Sequence, residues 1–230
     1  MEIKVKAFLP CRSGSQRVKK KNIRKFYKYK FGLVELKIKQ LLKVKEICQI
    51  VLSTDDLKII NYAKNIKSNK IKIDIRPKKL ASSRTKTDDL VKYASKLFGL
   101  NDHILWTHVT SPFFSEKNYR KAINVYKKKI RKFDTLVGAD VVQDFIFDEK
   151  KPFNYNPKKT YWPNTQTLKK LYKINNTIFL TSAKSYIKYK NRIGSKIFFY
   201  KVDKINSIDI DNIDDFRLAE QIVSKSNTKF

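Results

Sequence analysis

Residues 3–44 read IKVKAFLPCRSGSQRVKKKNIRKFYKYKFGLVELKIKQLLKV, and this stretch decides the fold. Its first part, residues 3–9, alternates charged and apolar side chains and then becomes apolar, which predicts a β-strand. Residues 10–23 are polar and basic and contain a glycine, as expected of a loop. Residues 32–44 place apolar side chains at roughly helical spacing, so the chain begins with a strand, a loop and a helix.

The same alternation continues along the chain. Further strands are predicted at residues 49–53, 71–75, 103–109, 135–138, 177–181, 196–202 and 207–210, and further helices at residues 56–66, 87–98, 116–132 and 213–224. Strands that alternate with helices of roughly 10 to 15 residues are typical of α/β proteins with a mostly parallel sheet. We therefore predict a three-layer α/β fold in which helices cover both faces of one sheet.

The alternation fails between residues 140 and 173. Pro152, Pro157 and Pro163 interrupt a stretch that is rich in aromatic side chains and lysine. We predict an irregular excursion from the core, which either covers a substrate cleft or forms a contact between two copies of the chain. No internal repeat or low-complexity linker divides the sequence, so residues 1–230 are predicted to form a single domain.

The chain is strongly basic, with 52 Lys and Arg residues against 21 Asp and Glu residues and a formal net charge of +31. Such a charge can indicate a nucleic-acid-binding protein. The lysines, however, are spread over the whole sequence and form no basic tail or repeated basic module. We therefore expect a solvated basic surface rather than a nucleic-acid footprint.

The sequence contains no run of about 18 apolar residues, and its first residues do not resemble a signal peptide. A cytoplasmic protein without a membrane contact is therefore expected. The two cysteines, Cys11 and Cys48, are too few for a disulfide scaffold. With His103 and His108 they form no zinc-binding pattern, so a zinc cluster is not predicted.

The loop after the first strand carries residues that are suited to binding phosphate. Gly14 permits a close approach of the backbone, the Ser15 hydroxyl can face phosphate oxygens, and Arg12 and Lys21 can neutralise a triphosphate. In an open α/β sheet, ligands collect at the carboxyl ends of the strands, where this loop begins. The alternative is a solvated basic loop, because the sequence is neither a Walker A motif nor a Gly-x-Gly-x-x-Gly turn.

An acidic cluster, SIDIDNIDDF at residues 207–216, precedes the last predicted helix. On a strand, Asp209 and Asp211 would point to the same face, so both carboxylates could bind one Mg²⁺ or Mn²⁺ ion. The alternative is a helix entry in which Asn212 caps the helix and the later aspartates face its positive end. A capping role is also expected for Asp55, which follows a strand and precedes a helix.

Several segments together resemble the cytidylyltransferases that make CMP-sialic acid and related CMP-sugar acids. The first loop of that family has the form Ala-Arg-x-Gly-Ser-Lys-x-x-Pro-x-Lys-Asn-Ile. This chain matches it at Arg12, Gly14, Ser15, Lys21, Asn22 and Ile23. It departs at Gln16, where a basic residue is common, and at Lys19, where the family has proline, so a less rigid loop is expected.

Later segments are similar to the family in the same order. They are VLSTDD at residues 51–56, RPKKLAS at residues 76–82, THVTSP at residues 107–112, INNTIFL at residues 174–180 and IDIDNIDDF at residues 208–216. By this resemblance, Arg76 and Ser82 lie near the cytidine, and Asn22 helps to hold the base or ribose. They complete a nucleotide-binding set that also contains Arg12, Gly14, Ser15 and Lys21.

The resemblance also places a sugar site at His108, Thr110, Ser111 and Asn175. His108 replaces a glutamine that contributes to sugar binding in sialic acid enzymes, and Asn176 stands at the family's glycine. An imidazole can still donate a hydrogen bond, although its charge could vary near neutral pH. The alternatives are structural roles. His108 would be a histidine whose hydrogen bonds are satisfied at the end of a strand, and Asn175 would form hydrogen bonds at the edge of a strand.

The resemblance implies a nucleotide-diphospho-sugar transferase-like fold and an enzyme that transfers CMP from CTP to the anomeric hydroxyl of a sialic-acid-like nonulosonic acid, releasing pyrophosphate. Arg12, Lys21 and Asp211 are the expected catalytic residues, with Asp209 and Asp211 holding Mg²⁺ or Mn²⁺. A homodimer through residues 140–173 is also implied. The alternatives are a related nucleotidyltransferase with another acceptor such as Kdo or a sugar phosphate, an inactive nucleotide-binding protein, and a nucleic-acid-binding module.

Overall fold

The computed structural model describes residues 3–225 and contains a seven-stranded sheet. Its strands are β1 (Val5–Pro10), β2 (Ile47–Thr54), β3 (Ile71–Ile75), β4 (His103–Trp106), β5 (Thr135–Val142), β6 (Leu171–Ser182) and β7 (Ile197–Lys201). The strand order is β3-β2-β1-β4-β6-β5-β7. Strand β6 pairs antiparallel with β4 and β5, and the other pairs are parallel, so the predicted mostly parallel sheet is confirmed.

Helices cover both faces of this sheet. They are α1 (Gly32–Leu42), α2 (Leu57–Asn65), α3 (Thr87–Ala94), α4 (Glu116–Lys129), α5 (Ala183–Tyr189) and α6 (Ile213–Lys225), with short 3₁₀ turns at Lys78–Leu80, Ser95–Leu97 and Thr165–Thr167. One apolar cluster packs the sheet against α1, α2, α4 and α6, and a second packs the opposite face against α3 and α5. The predicted three-layer fold is confirmed. Within residues 3–225, no helix is both long and apolar enough to cross a bilayer.

The connection between the first loop and α1 depends on Gly32. This residue has a φ of +68°, and a Cβ there would collide with the carbonyl oxygen of Arg24. The amide of Val34 donates to the carbonyl of Asn22 at 3.0 Å. Since only glycine fits this close approach, Gly32 fixes the loop against the first turn of α1.

The strand predicted at residues 207–210 is wrong. No strand is assigned there, and the chain turns after β7, where Asp203 accepts from the amide of Asn206 at 3.0 Å. The amide of Ile210 then donates to the carbonyl of Thr110 at 2.8 Å. The segment is therefore tied to the loop after β4 and does not extend the sheet beyond β7.

Strand β6 and helix α5 also differ from the sequence predictions. Strand β6 begins at Leu171, inside the predicted excursion, where it pairs with Val142 of β5. Only residues 143–170 therefore remain as the irregular part. Tyr172 and Ile174 are 45% and 42% exposed there, so this end of the strand lacks a core-facing pattern. Helix α5 has only seven residues, which is too short for a clear helical period.

Candidate active site

A cavity of about 430 Å³ opens at the carboxyl ends of β1 and β4. It is lined by Pro10, Arg12, Ser15, Gln16, Arg17, Lys21, Asn22, Arg76, Ser83, Leu90, His108, Val109 and Thr110. A smaller cavity of about 200 Å³ shares Arg12, Ser15, Lys21 and Asn22 with it and also contacts Gly14. The predicted nucleotide-binding loop therefore lies at the edge of the sheet where α/β proteins bind ligands.

The loop after β1 is held by contacts with the neighbouring strand β2. The amide of Ser13 donates to Asp55 Oδ1 at 2.8 Å, and the Ser13 hydroxyl donates to Asp55 Oδ2. The capping role predicted for Asp55 is wrong, because Asp56 caps α2 by accepting from the amide of Lys58 at 2.9 Å. Asp55 comes one residue too early to cap α2, and its carboxylate instead orders the loop.

Within the loop, Gly14 has a φ of +68°, a conformation that favours glycine. The Arg12 guanidinium donates to the Gly14 carbonyl at 3.0 Å, and the side-chain amide of Asn22 donates to the Arg12 carbonyl at 3.0 Å. These contacts curl the chain around the two adjoining cavities. The structure thus brings together Arg12, Gly14, Ser15, Lys21 and Asn22, as the sequence predicted.

Lys21 joins the loop to the acidic segment. Its Nζ donates to the carbonyl of Ile210 at 2.7 Å and lies 4.0 Å from Asp211 Oδ1. Burial lowers the pKa of Lys21, while the carboxylates nearby oppose that shift. Arg17 forms a closer ion pair with Asp211, at 2.9 Å. Sequence reasoning missed Arg17, because one more basic residue in a basic loop gives no distinguishing signal.

Arg76 lines the cavity from β3's side and is only 3% exposed. Its guanidinium donates to the Ser53 carbonyl at 2.7 Å and to the Ser53 hydroxyl at 3.2 Å, and burial lowers its pKa. Ser82, in contrast, lies in an exposed turn beside Thr85, and its neighbour Ser83 lines the cavity. Arg76 thus lines the cavity and Ser82 does not, and the roles of both residues near the cytidine stay predictions.

His108 lines the cavity just beyond the end of β4. The indole Nε1 of Trp106 donates to His108 Nε2 at 3.0 Å, and Arg192 lies 3.4 Å from the same nitrogen. Burial, followed by the nearby Arg192 charge, lowers the pKa of His108 to about 3. Burial and the nearby positive charge both disfavour the charged imidazole, and they therefore oppose the variable charge expected from the sequence. Thr110 also lines the cavity.

Ser111 and Asn175, two of the predicted sugar-binding residues, are not among the residues that line the cavity. Ser111 is fully buried, and its carbonyl accepts from Lys37 Nζ at 2.8 Å. The Asn175 side chain donates to Asp140 at 2.9 Å and accepts from the Thr177 hydroxyl at 2.6 Å. The Ser111 hydroxyl itself is buried with no hydrogen-bond partner. The sugar-binding roles of Ser111 and Asn175 stay predictions.

The acidic segment combines a helix cap with a candidate cation site. Asn212 accepts from the amides of Asp214 and Asp215, each at 2.9 Å, so the predicted helix entry is confirmed. Asp209 Oδ2 accepts from the Asn176 side chain at 2.7 Å, whereas Asp209 Oδ1 is buried with no hydrogen-bond partner. A cation can satisfy an unpaired buried carboxylate oxygen, so Asp209 has the chemistry of a metal ligand.

The geometry of this candidate cation site differs from the geometry that the sequence predicted. Asp209 and Asp211 do not share a strand face, because residues 207–210 form no strand. Within residues 3–225, no group of three or more His, Cys, Asp or Glu side chains could hold a metal ion. Two carboxylates still suit Mg²⁺, which usually takes only one or two from the protein. The sequence did not predict a contact between Asn176 and this site. The structure shows that the Asn176 side chain is hydrogen-bonded to Asp209, which lies 33 positions later in the sequence.

Two similar proteins share low sequence identity with the chain along most of its length. It is 24% identical to the N-acylneuraminate cytidylyltransferase of Escherichia coli O18:K1:H7. The matched region covers 99% of this chain but only 54% of that relative. It is 23% identical to the pseudaminic acid cytidylyltransferase of Campylobacter jejuni, over 92% of the chain and 93% of the relative. The chain thus spans about half the length of the Escherichia coli relative.

The chain also resembles solved structures and matches the sequence pattern of one protein family. The 4-diphosphocytidyl-2C-methyl-D-erythritol synthase of Anaerococcus prevotii matches with a TM-score of 0.69 and 18% identity, over 97% of this chain and 99% of that one. A CMP:2-keto-3-deoxy-manno-octonic acid synthetase in complex with CTP matches with a TM-score of 0.66 and 11% identity, over 96% and 99%. These neighbours share the fold. The sequence pattern of the cytidylyltransferases matches residues 7–226, and the chain therefore belongs to the cytidylyltransferase family.

Proposed function

We propose that this chain transfers CMP from CTP to the anomeric hydroxyl of a sugar acid and releases pyrophosphate. The observation that carries the proposal is the cavity at the end of β1, where Arg12, Lys21 and Arg76 line one space. These three cations, with Arg17 as a fourth in the same lining, fit a polyanionic ligand such as a nucleoside triphosphate. One structural neighbour holds CTP, and two relatives are named for sugar acids, which supports the same substrates here.

In the proposed reaction, the oxygen of the anomeric hydroxyl attacks the α-phosphate of CTP and its proton is released to solvent. The bond from the α-phosphorus to the bridging oxygen breaks, and pyrophosphate leaves with the electron pair of that bond. Such a displacement depends mainly on positioning and on stabilising negative charge. Arg12 and Lys21 offset that charge, and the contact of Lys21 with the Ile210 carbonyl keeps its ammonium in place. Asp55 orders the loop before the substrate arrives, which reduces the reorganisation needed on binding.

Asp209 and Asp211 are the residues that would hold Mg²⁺ or Mn²⁺ in this proposal. The support is the unpaired buried Oδ1 of Asp209 and the position of Asp211 beside Lys21. A bound divalent ion would supply further neutralisation of the phosphate oxygens. In this structure, the Arg17 guanidinium faces Asp211, so an ion at that carboxylate would compete with Arg17.

The proposed acceptor is a sialic-acid-like nonulosonic acid. His108 and Thr110 line the cavity beside the cationic loop, and a neutral imidazole with a threonine hydroxyl can bind the oxygens of a sugar acid. The two relatives named for N-acylneuraminate and pseudaminic acid support this class. Kdo is the second candidate, because one structural neighbour is named for that sugar acid.

We further propose that two copies of the chain associate through residues 143–170. Phe153, Tyr161 and Trp162 are 66%, 71% and 65% exposed there, and exposed aromatic clusters favour protein contacts. A cytoplasmic location remains a prediction from the sequence.

The metal assignment is tested by measuring Mn²⁺ binding and pyrophosphate release separately. Asp209→Asn should lower the affinity for Mn²⁺, read by electron paramagnetic resonance, and Asp211→Ala should abolish Mg²⁺-dependent pyrophosphate release from CTP. Asp214→Asn is the matched control, since this side chain is 83% exposed and faces away to Arg217. Unchanged Mn²⁺ affinity and turnover in both variants would reject the assignment.

A further inference from the structure

The imidazole of His108 is held on one side by Trp106 and Arg192. Trp106 Nε1 lies 3.0 Å from His108 Nε2, and Arg192 Nη1 lies 3.4 Å from the same nitrogen. The indole N–H and the guanidinium N–H groups can only donate hydrogen bonds. His108 Nε2 must therefore accept and carry no proton, and in a neutral imidazole the proton then lies on Nδ1.

Arg192 is positioned by aromatic rings. Its guanidinium carbon lies 3.8 Å from the ring centroid of Phe179 and 5.1 Å from that of Trp106. Within residues 3–225, none of the ion pairs involves Arg192. An arginine stays protonated even when burial lowers its pKa, so a positive charge stands permanently beside His108.

The charged groups that face His108 have the same sign. They are Arg192, Lys21, Arg76 and Lys37. Together with burial, these cations lower the pKa of His108 to about 3. A second proton on Nε2 would also point at the indole N–H of Trp106, which would break the hydrogen bond. Geometry and charge thus both oppose the imidazolium form.

Nδ1 is the nitrogen that remains for a ligand. His108 lines the cavity, and Nδ1 has no hydrogen-bond partner within residues 3–225 and is not one of the fully buried unpaired atoms. We propose that Trp106 and Arg192 lock His108 as a neutral Nδ1–H donor. His108 would then select the sugar substrate by donating a hydrogen bond to one of its carboxylate or carbonyl oxygens. The selection of an acceptor rests on the proposed function, whereas the lock does not.

The lock is tested first in the free protein by ¹⁵N NMR of the histidine side chains as pH is varied. His108→Gln assigns the His108 signals by their loss, and His103 serves as an internal reference. The wild type should show the Nδ1–H tautomer and no protonation of His108 above about pH 5. An Nε2–H tautomer, or protonation near 6.5, the ordinary value for histidine, would overturn the proposal.

Two variants then test which groups impose the lock. Trp106→Phe removes the indole donor and Arg192→Met removes the cation, and each should populate the Nε2–H tautomer or allow protonation at a higher pH. Arg217→Met removes the same charge from an exposed site and should leave the His108 signals unchanged. If one variant fails to fold, the other still decides the point. If the His108 signals of both Arg192→Met and Trp106→Phe match those of the wild type, the proposal is overturned.

Kinetics test the consequence for the acceptor. In Arg192→Met, the KM for the sugar acid should rise about tenfold, as expected for one lost or misplaced hydrogen bond, and should vary with pH, whereas the KM for CTP should change little. Arg192→Lys should restore part of the wild-type behaviour. Identical acceptor KM values and pH profiles in the wild type and Arg192→Met would reject the selection role. A locked His108 in a protein without turnover supports the lock and rejects the proposed function.

Discussion

Lys37 is a buried lysine on α1 that holds the segment after β4. Its ammonium donates to the carbonyls of Ser111 at 2.8 Å and Phe114 at 3.1 Å, and to the Tyr119 hydroxyl at 3.1 Å. Burial lowers its pKa well below the ordinary 10.5. All three donors of an ammonium are thus used, and they fix the segment that brings Thr110 to the cavity.

Lys37→Met should lower the free energy of unfolding by roughly 1–3 kcal/mol, because buried carbonyls lose their donor. The lysine pKa is lower in the folded chain than in the unfolded chain, so wild-type folding releases a proton between those two values. The wild-type unfolding free energy therefore rises with pH in that interval and stops rising near 10.5. The stability difference between wild type and variant should grow as pH rises, and denaturant titrations that show a constant difference would contradict this.

At the scale of single residues, the sequence predicted the residues that the loop after β1 brings to the cavity better than the rest of the site. Arg12, Lys21 and Asn22 lie close together in sequence, so a local pattern could identify them. The contact between Asn176 and Asp209 joins residues 33 positions apart, and that of Arg192 with His108 spans 84 positions. Such contacts depend on how the elements pack, which local periodicity does not report.

Two adjacent aspartates at the end of β2 support different elements. Asp55 accepts from the amide of Ser13 in the loop after β1, and Asp56 caps α2 through the amide of Lys58. The sequence assigned the cap to Asp55, one residue too early, because sequence patterns place the boundary between a strand and a helix only to within a few residues.

Asp55→Ala should weaken CTP binding about tenfold, because the loop loses two hydrogen bonds that order it before binding. Asp56→Ala should instead lower the unfolding free energy by about 1 kcal/mol, since it removes the cap of α2. Because Asp56 lines the smaller cavity but does not hold the loop, this variant should change CTP affinity less than Asp55→Ala does. Calorimetric titration with CTP and denaturant unfolding measure the two effects. Equal CTP affinities in the two variants would contradict the separation of roles.

Among the elements, the strands with an apolar or alternating sequence pattern were predictable. β1, β2, β3 and β4 all lie within a few residues of their predicted positions. The failures are the segment at residues 207–210, which bonds to a loop, and the exposed start of β6, which has no core face. Apolar periodicity reports burial, so an element whose partner is a loop or solvent gives a misleading or absent signal.

The molecule as a whole combines a compact α/β core with an irregular excursion at residues 143–170. Asn154 is nearly buried inside this excursion and donates to the carbonyls of Asp144 at 2.8 Å and Lys169 at 3.3 Å. The excursion is thus internally ordered, while the side chains of Phe153, Tyr161 and Trp162 face solvent. This combination agrees with the proposed contact between two copies.

Trp162→Ser should shift the chain toward monomer in sedimentation velocity at micromolar concentration, because an aromatic side chain of this size is a common anchor of protein interfaces. Leu100→Ser is the matched control, since Leu100 is 60% exposed but lies outside the excursion. A wild type that sediments as a monomer, or a variant that sediments like the wild type, would count against the proposed dimer contact.

The central claim, that the cationic cavity activates a sugar acid with CTP, is tested most directly by mass spectrometry of the products. The purified protein is incubated with CTP, Mg²⁺ and one of several nonulosonic acids or Kdo, with Asp211→Ala as the inactive control. We predict pyrophosphate and a CMP-sugar whose mass equals that of the acceptor plus CMP less water, formed with a nonulosonic acid and absent in the control. No CMP-sugar from any acceptor, in a protein that binds CTP, would contradict the claim.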